Sequence, residues 1–206
     1  MHCSAFPARG LYAITDGPRA DLIAACTAAI AGGAAAIQYR DKTGDRAQRS
    51  AEAGELAVVC ARHGVPLIVN DDVELAAQVG AGVHLGEDDT DFGAARIRLG
   101  SNAIIGVSCY DSLERARDLA AAGADYLAFG AFFPTPTKPH ARRAAPGLLR
   151  AARAFGKPLV AIGGITADNA RTLIDAGADF VAAISGVFAQ PDITAAARRY
   201  ADLFHK

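Results

Sequence analysis

Eight repeats of a short apolar run followed by a helix-like segment predict a single closed (β/α)8 barrel of parallel strands, with its active site at the strand C-terminal ends. Three observations carry this prediction. The apolar runs lack apolar/polar alternation, as strands buried on both faces do. Glycines that can end a helix stand directly ahead of them in "AGGAAAIQY" (31–39), "GAGVHL" (80–85), "AAGADYLAFG" (121–130) and "DAGADFVAAI" (175–184). The alternation runs through the chain without a break in composition.

In chain order the strands are "LYAIT" (11–15), "AAIQY" (35–39), "PLIVN" (66–70), "GVHL" (82–85), "AIIGVS" (103–108), "DYLAF" (125–129), "PLVAI" (158–162) and "FVAAI" (180–184). The segments between them read as helices. In "DSLERARDLAAAG" the residues Leu113, Ala116 and Ala120 keep one face, while Glu114, Arg115, Arg117 and Asp118 keep the other. Asp111 or Ser112 can cap its start and Gly123 its end. An open doubly wound sheet is the competing architecture, but no GxGxxG follows the first strand. The whole chain, 1–206, is expected to be one domain, with 1–10 a poorly ordered extension ahead of the barrel.

With 206 residues, 51% of them hydrophobic and 21% charged, the chain can bury one sizeable core. Its net charge of −1, from interspersed basic and acidic residues, gives no general attraction to nucleic acid or anionic lipid. Any anion binding must be local. Cys3, Cys26, Cys60 and Cys109 form neither a CxxC pair nor a zinc spacing, which fits a reduced, cytoplasmic protein. No signal-like start and no apolar run of about 18 residues is present, so neither export nor membrane insertion is expected.

A barrel places chemistry on the loops after its strands. There the sequence sets Asp16; Gln38, Arg40, Asp41 and Lys42; Asn70, Asp71 and Asp72; Glu87, Asp88 and Asp89; Ser108; Thr135, Thr137 and Lys138; Gly163-Gly164; and Ser185. In "IQYRDK" a strand period of two points Gln38, Arg40 and Lys42 to one side. An amide and two cations there favour an anionic ligand. Asp71 and Asp89 would repel a phosphorylated ligand unless a hard cation bridges them, and magnesium takes such carboxylates together with phosphate oxygens. Asp72 reads as the cap of the next helix, and His84 as a supporting histidine rather than a ligand. Gly163-Gly164 before "ITADNA", and "AISGVF" one strand later, can offer backbone N–H groups to a second phosphate.

The stretches "YAITD", "QYRDK", "VND", "GVHLGEDD", "IGVS", "GAFFPTPTK", "AIGGI" and "AAISGVF", in this order from about Leu11 to Phe188, resemble the thiamine-phosphate synthase family. The resemblance implies a TIM barrel enzyme, a transferase of thiamine biosynthesis. It would join 4-amino-2-methyl-5-hydroxymethylpyrimidine diphosphate to thiazole phosphate with one magnesium ion per subunit, releasing diphosphate. It implies that Gln38, Tyr39, Arg40, Asp41, Lys42, Asn70, Ser108 and Lys138 hold the pyrimidine diphosphate. Asp71 and Asp89 would bind the metal, and Thr135, Pro136, Thr137, Gly164, Ile184 and Ser185 the thiazole phosphate. Arg40, Lys42, Ser108 and Lys138 would carry the catalysis. The partners implied are small phosphorylated molecules, and a homo-oligomer is compatible with the sequence.

Two positions depart from the family pattern: Cys109-Tyr110 stands where a small polar residue or histidine is expected, and Glu87 where glutamine is usual. Two alternatives share the barrel, a thiazole tautomerase-like paralogue and a non-catalytic phosphate-ligand-binding barrel. Retention of Gln38, Arg40, Lys42, Asp71, Asp89 and Lys138 speaks against the first.

Overall fold

In the structure, a computed structural model that describes residues 6–135 and 142–205, strands and helices alternate along the chain. They are β1 (Gly10–Ile14), α1 (Leu22–Ala31), β2 (Ala34–Tyr39), α2 (Arg46–His63), β3 (Leu67–Asn70), α3 (Val73–Val79), β4 (Gly82–Leu85) and α4 (Phe92–Leu99). There follow β5 (Ile105–Tyr110), α5 (Leu113–Ala121), β6 (Tyr126–Phe129), α6 (Gly147–Ala152), β7 (Leu159–Ala161), α7 (Ala170–Asp175), β8 (Phe180–Ala183), α8 (Ser185–Phe188) and α9 (Ile193–Ala201). Each strand pairs in parallel with the next, and β8 returns to β1 through Leu11 opposite Val181, closing the barrel. No described helix is long and apolar enough to cross a membrane.

The apolar runs divide their side chains between two cores. Tyr12, Ile14, Ala36, Ile68, Tyr126, Val160 and Phe180 fill the barrel interior, while Leu11, Ile37, Val69, Leu127 and Val181 meet the surrounding helices. Caps fix where the helices begin: Asp72 accepts from the Leu75 N–H and Ser112 from the Arg115 N–H, both at a distance normal for such caps. The repeated Gly-Ala-Asp ahead of β6 and β8 has a shared purpose. Asp125 accepts from the Ile105 N–H at 2.8 Å, and Asp179 from the Leu159 N–H at 2.9 Å, so each aspartate ties its strand to the preceding neighbour.

Of the stretch 1–10 expected to be a poorly ordered extension, residues 6–10 are described. Phe6 stacks on Tyr126 with ring centroids 4.3 Å apart and packs on Phe180 at 4.7 Å. Gly10 already belongs to β1. An aromatic side chain gains by docking on the aromatic rings inside the barrel, and a single Phe between Ala5 and Pro7 has no periodicity to announce this in the sequence.

Gly106 is the position where the interior is tightest. It faces Tyr126 across the β5–β6 pair, and a Cβ there would fall within the Tyr126 ring. Gly106→Ala is expected to cost roughly 1–3 kcal/mol by overpacking. At about 2–4 °C per kcal/mol for a chain of this size, the thermal midpoint should fall by several degrees. An unchanged midpoint in calorimetry would show that the ring moves aside freely.

Candidate active site

The carboxyl ends of the strands open into one cavity of about 850 Å³. At the end of β2 the period-two alternation holds. Gln38, Arg40 and Lys42 line the cavity, whereas Tyr39 and Asp41 do not. Tyr39 points outward, its hydroxyl donating to Glu52 Oε2 at 2.6 Å. Asp41 accepts from the Thr43 N–H at 2.8 Å and the Thr43 hydroxyl at 2.9 Å, closing its own turn. The side chains of these two thus turn away from the cavity, because a strand cannot send consecutive side chains to the same face. The fully buried Thr15 fixes the backbone of Arg40, accepting from its N–H at 2.8 Å and donating to its carbonyl at 3.1 Å.

Beyond β3, Asp71 adopts a left-handed conformation with φ 64°, and its N–H donates to the His84 carbonyl at 2.9 Å. Its carboxylate thereby meets the Lys42 ammonium at 3.1 Å and hydrogen-bonds Asp89, which also accepts from the Gly86 N–H. Burial works to raise the Asp71 carboxyl, but the hydrogen bonds of Asp89 and Lys42 outweigh it and hold it below the usual range. Burial raises Asp89; the Gly86 N–H opposes this, and the hydrogen bond and charge of Asp71 add to the rise. The two carboxyls are therefore pushed in opposite directions, Asp71 down and Asp89 up.

This pair fits magnesium chemically. Among the described residues no cluster of three His, Cys, Asp or Glu side chains surrounds a common point. Magnesium needs no such cage, since it binds through one or two carboxylates and fills its shell with water and substrate phosphate.

On the opposite wall, β6 and β7 run into each other. The Phe132 N–H donates to the Ile162 carbonyl at 3.2 Å and the Phe133 N–H to the Gly163 carbonyl at 3.0 Å. A Cβ at Gly164, whose φ is 62°, would collide with the Pro134 carbonyl oxygen. The glycine pair is therefore what lets the loop after β6 lie against the end of β7. Thr135, Gly164, Ile184 and Ser185 line this side, and Asn70 and Ser108 line the cavity with the cations. Pro136, Thr137 and Lys138 lie outside the described residues.

The sequence reading missed Tyr12 on the wall, where its hydroxyl receives the Gln38 Nε2 donor at 2.8 Å. His84, read as a supporting histidine, lines the wall and bonds Ser108 Oγ at 2.9 Å. The two departures from the family pattern prove to be neighbours. The Tyr110 hydroxyl accepts from the Glu87 N–H at 3.1 Å, and Arg142 both stacks 4.8 Å above the Tyr110 ring and pairs with Glu87. Cys109 is buried, facing the outer core, where burial pushes its thiol up to about 12. It is no nucleophile at neutral pH.

Fold and site define a parallel (β/α)8 barrel of the class that carries a cationic, two-carboxylate site at the strand C-terminal mouth, facing a glycine turn suited to phosphate. A family model described as thiamine monophosphate synthase matches residues 11–187. The chain belongs to that family. It is 57% identical over 199 residues to the thiamine-phosphate synthase of Thiobacillus denitrificans, covering 95% of this chain and 94% of the relative. It is also 57% identical over 196 residues to that of Xanthomonas campestris pv. campestris, covering 94% of each. A solved thiamine phosphate pyrophosphorylase from Pyrococcus furiosus superposes with a TM-score of 0.86 at 34% identity, covering 95% of each chain.

Proposed function

We propose that this chain is a thiamine-phosphate synthase, a transferase joining 4-amino-2-methyl-5-hydroxymethylpyrimidine diphosphate to thiazole phosphate to give thiamine phosphate and diphosphate. The observation that carries the reading is one cavity with Arg40, Lys42 and the Asp71–Asp89 pair on one wall and the Gly163-Gly164 turn with Ser185 on the other. Such a cavity suits two anionic substrates facing each other.

The pyrimidine methylene–oxygen bond breaks with its electron pair going to the diphosphate, and the ring amino group's electron donation stabilises the methylene cation. The thiazole nitrogen then gives its lone pair to that methylene. Magnesium held by Asp71 and Asp89 would supply neutralising charge to the diphosphate. Arg40 and Lys42 on the wall, and Lys138 by the family resemblance, stabilise the charge that develops on the leaving group. Gln38, Asn70 and Ser108 orient the pyrimidine, and Thr135, Gly164, Ile184 and Ser185, with Pro136 and Thr137, hold the thiazole phosphate in line. No protein nucleophile and no general base is needed. Exclusion of water matters more, because water would quench the cation to the alcohol. A cytoplasmic setting is supported by Cys26, Cys60 and Cys109, all free and buried.

The purified protein is expected to release diphosphate only when both substrates and magnesium are present. Absence of product under those conditions, read by a coupled diphosphate assay, would overturn the synthase reading.

A further inference from the structure

In the turn after β7 every carbonyl has a donor, while two amides have no acceptor. The Gly163 carbonyl accepts from the Phe133 N–H at 3.0 Å, the Gly164 carbonyl from Asn169 Nδ2 at 3.1 Å, and the Ile165 carbonyl from the Tyr200 hydroxyl at 3.1 Å. The N–H groups of Gly164 and Ile165 have no partner among the described residues. Both residues line the cavity, whereas Asn169 and Tyr200 do not. Ile165 is buried, and a backbone donor left unpaired in such a place points to a ligand.

We propose that Asn169 and Tyr200 are positioning residues for the phosphate of the thiazole substrate. By taking the carbonyls of the turn from outside the cavity, they set which way its peptide units face, so that N–H groups and not carbonyl oxygens meet the anion. The inference rests on the synthase reading for the identity of that substrate.

A trans peptide unit carries its C=O and its N–H on opposite sides. The bond from Asn169 to the Gly164 carbonyl therefore turns the Ile165 N–H away from Asn169, to the side that the cavity occupies. The Asn169 amide has one orientation, because its Oδ1 also accepts from the Thr166 N–H at 2.9 Å, and a backbone N–H only donates while a carbonyl only accepts. Thr166 and Asn169 cap the following helix reciprocally, since the Asn169 N–H donates to Thr166 Oγ1 at 3.3 Å. A glutamate, common in that place of such a cap, would accept from Thr166 as well but has no proton for the Gly164 carbonyl. Asparagine adds the donor that fixes the turn. The turn needs it: Gly164 has φ 62°, and a glycine passes between backbone conformations with little steric resistance. Without Asn169 the Gly164–Ile165 unit can turn over and set a carbonyl oxygen against the phosphate.

Tyr200 acts on the same turn from α9, where it is buried. Its hydroxyl oxygen also faces the Ala167 N–H, and a Cβ on Gly186 would collide with it. One hydroxyl thus holds the turn after β7 by a hydrogen bond and seats the segment after β8 by contact with a glycine that cannot be larger. Ser185 and Gly186 line the cavity beside the turn, so Tyr200 sets the spacing between the two walls that would enclose the phosphate.

The test is titration calorimetry of the purified protein with thiazole phosphate and with the thiazole alcohol that lacks the phosphate, and with the pyrimidine diphosphate plus magnesium as a third ligand. Wild type should prefer the phosphate to the alcohol. In Asn169→Ala, and in Tyr200→Phe, which keeps the ring, that preference should fall about tenfold, the scale of one hydrogen bond. Affinity for the pyrimidine diphosphate should not move. In turnover the KM for thiazole phosphate should rise with kcat nearly kept, as loss of uniform binding requires. Either variant serves if the other does not fold, and collapse of both would make them structural residues and count against the proposal. Full preference in a folded variant, or equal weakening of both thiazoles, would overturn the positioning role while leaving the synthase reading intact. Wild type without a preference for the phosphate would remove this inference, and wild type that binds neither substrate would overturn the synthase reading with it.

Discussion

Asp89→Asn is expected to leave the barrel folded and to lower kcat/KM by about 100-fold or more, by comparison with loss of one charge-stabilising group in an enclosed site. The geometry makes this substitution unusually clean. An asparagine keeps the shape and the hydrogen-bonding reach of Asp89: its amide oxygen can accept from the Gly86 N–H and its amide nitrogen can donate to Asp71. Removing the carboxylate leaves the metal-free protein with the same contacts but one fewer ligand for magnesium. Thermal unfolding without magnesium should match wild type, while the magnesium concentration needed for half-maximal activity rises. Wild-type turnover at every magnesium concentration would remove Asp89 from the proposed metal site.

Lys138→Ala is expected to lower turnover roughly 100-fold with the helical signal unchanged, again by comparison with loss of a single oxyanion donor. The described residues on either side support its placement in the reaction. Thr135 and Arg142 both line the cavity, and the Arg142 carbonyl accepts from the Ala131 N–H at 2.9 Å. The three donors of a lysine act as a point charge toward a leaving diphosphate. Single-turnover kinetics with both substrates saturating would read the effect. Loss of helical signal, or turnover within a few-fold of wild type, would count against the role.

Strands were legible because burial on both faces writes an unalternating apolar run, and each helix end before them carries a glycine or a Gly-Ala-Asp. The cationic wall was legible for the same geometric reason: Gln38, Arg40 and Lys42 are spaced by two and line the cavity together. The same spacing turns the side chains of Tyr39 and Asp41, which the resemblance included, away from the cavity. The hydrogen bonds that join Tyr12, Tyr126 and His84 inside the barrel were not legible. Tyr12, His84 and Tyr126 come from three strands; the two tyrosines read as members of apolar runs, and His84 as a supporting histidine with no partner named by the sequence. Their meeting depends on the register of β4, β5 and β6, of which Gly106 in mid-strand is the one local trace. Glu87 and Tyr110 looked like separate departures from a pattern, and only folding shows that both answer to Arg142, a residue more than thirty positions away from Tyr110 in sequence.

Phe6, seated against Tyr126 and Phe180, turns the barrel into a well with one mouth. Gln38 is buried while Ser185 is exposed. The two substrates proposed for these residues would therefore differ in depth, one end of the well dry and the other at the solvent.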